Sequence, residues 1–132
     1  MPLKSEWLDS QKSIICCTGT NTWSWGEYHK ALDEIVILAK TTDHRVDLII
    51  ARGENSRPPK GSQMPHFQRA TRIMPSNVSL ITVTGANLLA RTIVNIFTKL
   101  NPSTGPKVIL VESVDDAVTY IKQDRQQRVR AA

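Results

Sequence analysis

The sequence lacks most of the features that mark membrane, secreted or disulfide-rich proteins. No apolar run in its 132 residues approaches the roughly 20 residues of a membrane-spanning helix, and its start lacks the basic and apolar segments of a secretory signal. The two cysteines, Cys16 and Cys17, are adjacent. Neighbouring strand positions point to opposite faces, so we expect neither a disulfide between them nor a zinc site. These absences predict a soluble, cytoplasmic protein with reduced cysteines.

Acidic residues are missing from the whole interval between Glu54 and Glu112, although the chain has 12 of them against 17 Lys and Arg. The basic residues of this interval are Arg57, Lys60, Arg69, Arg72, Arg91, Lys99 and Lys107. Gathered on one side of a fold, they would attract an anion; scattered, they would be ordinary solvated side chains. Aromatic residues make up only 5% of the chain and no nucleic-acid-binding motif is present, so nucleic acid is not the expected partner.

The remaining composition is that of one globular domain. Hydrophobic residues are 40% and charged residues 22% of the chain, and a chain of this length buries enough surface to fold without a metal or a disulfide. We assign residues 1–124 to a single domain. Residues 125–132, which include Arg125, Arg128 and Arg130, are predicted to be a basic tail or a frayed helix end.

The first half of the chain predicts a β-hairpin followed by a helix. Residues 6–9 and 13–18 favour two short strands joined by a polar turn. Ser24 and Glu27 have the spacing of a capping box, which marks the start of a helix. Apolar residues then recur at steps of three and four as far as about Lys40. They are Trp25, Tyr28, Leu32, Ile35, Val36 and Ala39.

The second half alternates apolar runs with amphipathic segments. The runs 46–51, 78–84 and 108–111 are nearly continuous in apolar residues, which is typical of buried parallel strands. Helices are predicted over 62–73 and 86–100, and a last one begins after Ser113, a residue type that caps helices. The order β-β-α-β-α-β-α-β-α predicts an α/β fold, with a sheet that contains parallel strands covered by helices.

Four stretches, together with the element order, resemble a known family. Residues 22–28 open the first long helix, 46–50 form the next strand, 83–87 form a strand-to-helix turn, and 111–117 begin the last helix. Over about residues 6–124 the chain resembles STAS domains, named for sulfate transporters and anti-sigma-factor antagonists. It looks closest to the small bacterial branch that resembles the sporulation antagonists. The resemblance implies a STAS-like fold and a non-enzymatic regulatory domain that binds a protein partner.

The resemblance also marks a candidate regulatory hydroxyl. Phosphorylatable members carry a serine or threonine just after the central strand, and Ser56 is the nearest match, with Ser62 second. An acidic residue commonly precedes that hydroxyl, but here Asn55 does, and an ordinary loop or capping serine is the alternative. A phosphate would add nearly two negative charges beside basic residues. The candidate contacts for an anion or a partner are Arg52, Arg57, Lys60, Arg69, Arg72 and Arg91.

No arrangement of residues indicates an enzyme. The histidines His29, His44 and His66 are not spaced as a zinc ligand set, and the chain contains no nucleophile elbow or phosphate-binding loop. Adjacent carboxylates such as Asp115 and Asp116 do not face one another on a helix, so they make poor acid–base pairs. We therefore expect no catalytic residues, no metal and no cofactor.

Two functional hypotheses follow. The first is partner binding through the loop 53–62 and the helix after it. The second is a pocket between helices and sheet that takes an anionic or amphipathic small ligand. Trp23 and Trp25 fit both, either as packing at the rim of the core or as part of an exposed patch. An apolar cavity beside the basic helices would favour the second hypothesis, and a closed core the first.

Overall fold

The structure, a computed structural model, describes residues 3–53, 60–62, 64–85, 88–100 and 106–131. Within these ranges the chain forms five strands and four helices. The strands are β1 (Leu3–Trp7), β2 (Ile14–Gly19), β3 (Val46–Arg52), β4 (Val78–Thr84) and β5 (Lys107–Val111). The helices are α1 (Trp25–Lys40), α2 (Met64–Ile73), α3 (Leu88–Leu100) and α4 (Val114–Ala131). The predicted α/β class and element order are confirmed.

All five strands belong to one mixed sheet in the order β1-β2-β3-β4-β5. β1 pairs antiparallel with β2, and the other neighbours are parallel. The three predicted apolar strands therefore lie side by side. β1 begins and ends earlier than the predicted strand 6–9. Asp9 belongs to the hairpin turn instead, because its carboxylate accepts hydrogen bonds from the backbone N–H groups of Ser13 and Ile14 at 2.9 and 3.0 Å.

Helices cover both faces of the sheet. On one face α1, α2 and α3 pack over Ile15, Leu48 and Ile81, all at most 2% exposed. Successive parallel strands joined by right-handed connections place their helices on the same side, which explains this grouping. On the other face α4 contributes Ala117 and Ile121. The residues that α4 covers there are Ile14, Cys16, Ile49, Ala51 and Leu80.

The capping box predicted for α1 is present. The Ser24 hydroxyl accepts from the Glu27 backbone N–H at 3.1 Å, and the Glu27 carboxylate accepts from the Ser24 backbone N–H, also at 3.1 Å. Two donors that the helix start leaves without an intrahelical partner are thereby satisfied. The predicted stripe then faces the sheet, with Leu32, Ile35 and Ala39 buried. Local sequence therefore determines where α1 begins and which side it buries.

A buried ion-pair network fixes the amino edge of the parallel strands. Asp47 on β3 has no solvent exposure, and its carboxylate pairs with Arg45 at 3.0 Å and Arg125 at 2.7 Å. Arg125 also donates to the Ser13 carbonyl at 2.9 Å, and Arg45 pairs with Asp124 at 2.6 Å. α4 thus continues beyond the predicted domain limit of 124, and Arg125, assigned to a basic tail or frayed end, connects it to β2 and β3.

We predict that Asp47→Ala lowers the free energy of unfolding by about 3 kcal/mol, because two arginines lose their shared buried counter-charge. The arginine side chains keep 22% and 29% exposure, which limits the loss. Urea unfolding measures it, and Asp43→Ala, at an exposed turn position, is the matched control. A loss below about 1 kcal/mol for Asp47→Ala would contradict a stabilising role for the network.

We also predict that Ser24→Ala destabilises the chain by about 1 kcal/mol, the usual cost of removing an N-cap hydroxyl. Thermal and urea unfolding measure the effect. Thr22→Ala changes an exposed side chain two residues earlier and should cost less than half as much. Equal losses for the two variants would show that the capping bonds contribute nothing specific.

Candidate functional site

The candidate site lies at the carboxyl edge of the parallel strands, where the chain leaves β2 for α1 and β3 for α2. In open α/β sheets ligands bind at this edge, because strand-to-helix connections place loops and helix starts together there. Two features meet at this position, a cluster of aromatic rings and an apolar pocket beneath it.

The aromatic cluster consists of Trp23, Trp25, Tyr28, His66 and Phe67. Trp25 stacks on His66 with 3.8 Å between ring centroids and 9° between planes, and it meets Trp23 edge-on at 5.6 Å. Two hydrogen bonds fix the rings: the Trp25 indole N–H donates to the Lys60 carbonyl and the Tyr28 hydroxyl to the His66 carbonyl, each at 3.1 Å. Since α1 and α2 both supply rings, the cluster holds the starts of the two helices together.

A pair of histidines extends this cluster. His29 Nε2 lies 2.7 Å from His66 Nδ1, and His29 Nδ1 lies 3.1 Å from Arg69 Nη1. Arg69 in turn pairs with Asp33 at 2.6 Å. A guanidinium group only donates hydrogen bonds, so His29 Nδ1 accepts. His29 Nε2 therefore carries the proton and donates it to His66 Nδ1. Both imidazoles are neutral in this arrangement.

Electrostatics favours the neutral form of His29. Burial lowers its pKa below the ordinary value of 6.5, and the positive charges of Arg69 and of a protonated His66 lower it further, while Asp33 acts in the opposite direction. The neighbouring Tyr28 keeps its proton throughout the physiological range, because burial raises the pKa of its hydroxyl. At neutral pH this part of the site carries charge only on the Arg69–Asp33 pair.

An apolar pocket lies under the cluster, between α1, α2 and strands β1 to β4. Its volume is about 100 Å³, and almost its entire wall is carbon. Leu48 and Ile81 form the floor, and Leu32, Phe67 and Ala70 form the roof. Cys17 also lines it. Burial raises the pKa of this thiol, so it behaves as a small neutral group.

Most of the lining residues that keep some solvent exposure lie at the carboxyl edge. Three of the pocket's lining residues are only half-buried there: Leu3, Tyr28 and Ile50. Leu3 pairs with Gly19, the last residue of β2, and Ile50 lies near the end of β3. A fourth half-buried lining residue, Met74, follows α2 at the opposite edge. The aromatic cluster therefore stands at the main opening.

The structure brings some of the predicted site residues together and separates others. Trp23 is buried and Trp25 half-buried within the aromatic cluster. Lys60 touches the cluster through its carbonyl, and Arg69 contacts His29 and Asp33. Other predicted contacts are dispersed: Arg52 ends β3, and Arg72 on α2 and Arg91 on α3 are exposed. Ser62 is exposed just before α2, whereas Ser56 and Arg57 lie outside the described residues.

Sequence reasoning missed the histidine pair. His29 and His66 are 37 positions apart, so no local spacing connects them. His44, the third histidine, is separate from the site and contacts the Lys12 carbonyl at 2.8 Å. In the part of the chain that the structure describes, no group of three or more His, Cys, Asp or Glu residues is placed to hold a metal ion. None of the described helices is long and apolar enough to cross a membrane.

Comparison with known proteins leaves the site to be interpreted from its geometry alone. No family model, no curated protein and no solved structure matches the chain.

Proposed function

We propose that this chain is a small-ligand-binding domain, which takes a compact apolar molecule, or the apolar end of an amphipathic one, into the pocket under the aromatic cluster. The observation that carries this proposal is an apolar cavity of about 100 Å³ between α1, α2 and the sheet, lined in part by Trp23, Tyr28 and Phe67 of the aromatic cluster. The second of the two hypotheses from the sequence anticipates such a cavity, whereas the first anticipates a closed core.

The size and chemistry of the pocket define the ligand class. An engineered apolar cavity of about 150 Å³ stays dry and binds benzene or xenon, so a cavity of about 100 Å³ suits at most a single small ring or a short alkyl chain. The Tyr28 hydroxyl is already bonded to the His66 carbonyl. A polar group placed inside would lose its hydrogen bonds to water without replacement, at a cost of about 1–3 kcal/mol. The pocket therefore selects against polar ligands.

The charges beside the opening are mixed. Lys60 is exposed. Glu27, Lys30 and Glu34 line the surface beside Leu3, which also lines the pocket. The part of a ligand that stays outside therefore meets both signs of charge, and the apolar interior is what selects the ligand.

A regulatory role through a protein partner is the second candidate. Its support is the element order shared with STAS domains and the exposure of Met64, Pro65 and Gln68 at the start of α2. An exposed methionine beside an exposed proline offers a partner an adaptable apolar contact. This second proposal includes the relationship to STAS domains. It also includes regulation of partner binding by phosphorylation of Ser56 or Ser62.

We predict that benzene raises the unfolding temperature of the purified chain. At tenfold above its Kd, a ligand that binds only the folded state stabilises it by about 1.4 kcal/mol. Ala70→Leu should fill the pocket and abolish the rise, because Ala70 is 2% exposed and lines the cavity. Thr71→Leu, on the adjoining position of α2 outside the lining, is the matched control and should keep it. Benzene-dependent chemical shift changes in NMR spectra locate the binding.

Two results would refute the proposed function. One is a folded wild-type chain whose unfolding temperature and chemical shifts do not respond to benzene. The other is an Ala70→Leu variant that responds as strongly as wild type. Native mass spectrometry of freshly purified chain adds a direct test, because a retained natural ligand appears there as a mass that heat or organic solvent removes.

A further inference from the structure

The hydrogen bond between His29 and His66 joins the two helices that roof the pocket. His29 lies in the second turn of α1, and His66 is the third residue of α2. Their ring nitrogens are 2.7 Å apart. The same two helices supply Tyr28 and Phe67 to the pocket wall. This bond therefore spans the roof of the pocket beside its opening.

The bond requires that both rings be neutral. Arg69 donates to His29 Nδ1, so that nitrogen has no proton, and His29 Nε2 donates to His66 Nδ1. A proton added to His66 Nδ1 would face the N–H of His29. A proton added to His29 Nδ1 would face the N–H of Arg69. Either proton replaces an attractive contact by two donors pointing at each other.

The groups around the two histidine rings determine the pH at which the pair takes up a proton. His29 is faced by Arg69 from α2 and by Asp33 from its own helix. The rings in contact with His66 are Trp25, Tyr28 and His29. Of these, only His29 has an imidazole that acid can charge. Burial and Arg69 lower the pKa of His29 below the ordinary value of 6.5, so the neutral pair is stable at pH 7 and is lost only at a pH below 6.5.

His66 transmits this change to the opening. Its ring stacks on Trp25 at 3.8 Å, and its carbonyl accepts the Tyr28 hydroxyl bond. Tyr28 is one of the half-buried residues that line the opening. Movement of His66 away from His29 therefore disturbs two rings of the aromatic cluster at once.

We propose that the His29–His66 hydrogen bond is a pH-sensitive link that holds α2 against α1 at the mouth of the pocket, and that protonation of either ring breaks it and opens the pocket. The regulated site is the pocket of the proposed function, so the gating part of this inference rests on that function. A metal ion bridging the two rings is a poorer explanation, because the described residues supply no third ligand and the positive charge of Arg69 opposes a cation.

The first experiment needs no ligand. A double-mutant cycle of His29→Leu, His66→Phe and the double variant is measured by urea unfolding at pH 7.5 and pH 5.5, since leucine can neither donate to His66 nor accept from Arg69. Phenylalanine keeps a ring for Trp25 to stack on. We expect the two positions to be coupled by about fivefold in the unfolding equilibrium constant at pH 7.5, the usual effect of one hydrogen bond, and the coupling to be weaker at pH 5.5.

The sign of the pH effect follows from proton linkage. The unfolded chain binds a proton to His29 at a higher pH than the folded chain does, so stability is full above about pH 6.5 and falls as the pH drops below it. A group that binds its proton only in the unfolded state raises the unfolding equilibrium constant at most tenfold for each pH unit of acidification. The rise for wild type should be smaller than this limit, because His29 is only half-buried. The double variant should lose this part of the dependence, and His44→Gln, at a histidine outside the site, should keep it.

NMR of the imidazole nitrogens tests the arrangement directly. At pH 7.5 both rings should carry their proton on Nε2, and at pH 5.5 the spectrum should show a charged ring. Coupling that is the same at both pH values, or a proton on Nδ1 of His29 at pH 7.5, would overturn the proposed link.

The second experiment measures the exchange rate of benzene by NMR at the two pH values. We expect a severalfold faster rate at pH 5.5 in wild type and no change in the double variant. Coupled histidines in a chain that binds no benzene at any pH would support the link while refuting the proposed function. Benzene that binds and exchanges equally fast at both pH values would overturn the link as a control on the pocket and leave the pocket intact.

Discussion

Burial of the central strands on both faces is the constraint on which the rest of this structure depends. Ile15 and Ile49 have no solvent exposure, and Leu48 keeps only 2%. Ile15 and Leu48 point to one face of the sheet, and Ile49 points to the other. A strand of this kind is stable only when helices cover both faces. The chain must therefore return across the sheet between strands, which places the starts of α1 and α2 at the carboxyl edge.

Different interactions join the helices and strands at the two edges of the sheet. At the amino edge the carboxylate of Asp47 is fully buried and is balanced by Arg45 and Arg125. Both arginines stay charged throughout the neutral range. At the carboxyl edge the helices are joined by neutral rings, His29 and His66 among them. The apolar pocket lies beside these rings.

The pocket itself follows from how α1 and α2 approach the sheet. Small residues such as Ala31 and Ala70 face the cavity from the two helices, whereas larger side chains such as Phe67 close it above. An alanine fills less space than the neighbouring leucines and isoleucines, so the interior does not close between these positions. The resulting void carries few polar atoms, and this composition defines the ligand class that we propose.

Much of the fold could be predicted from local sequence. The Ser24–Glu27 capping box marks the start of α1, and the continuous apolar runs predict β3 and β4, because cap chemistry and hydrophobic period act over a few neighbouring residues. Only the tertiary structure decided the rest. His29 meets His66, and Arg125 meets Asp47, across 37 and 78 positions respectively. Such contacts depend on how the helices pack against the sheet. Local periodicity determines the face that each helix buries, but not which polar side chains at its ends come into contact.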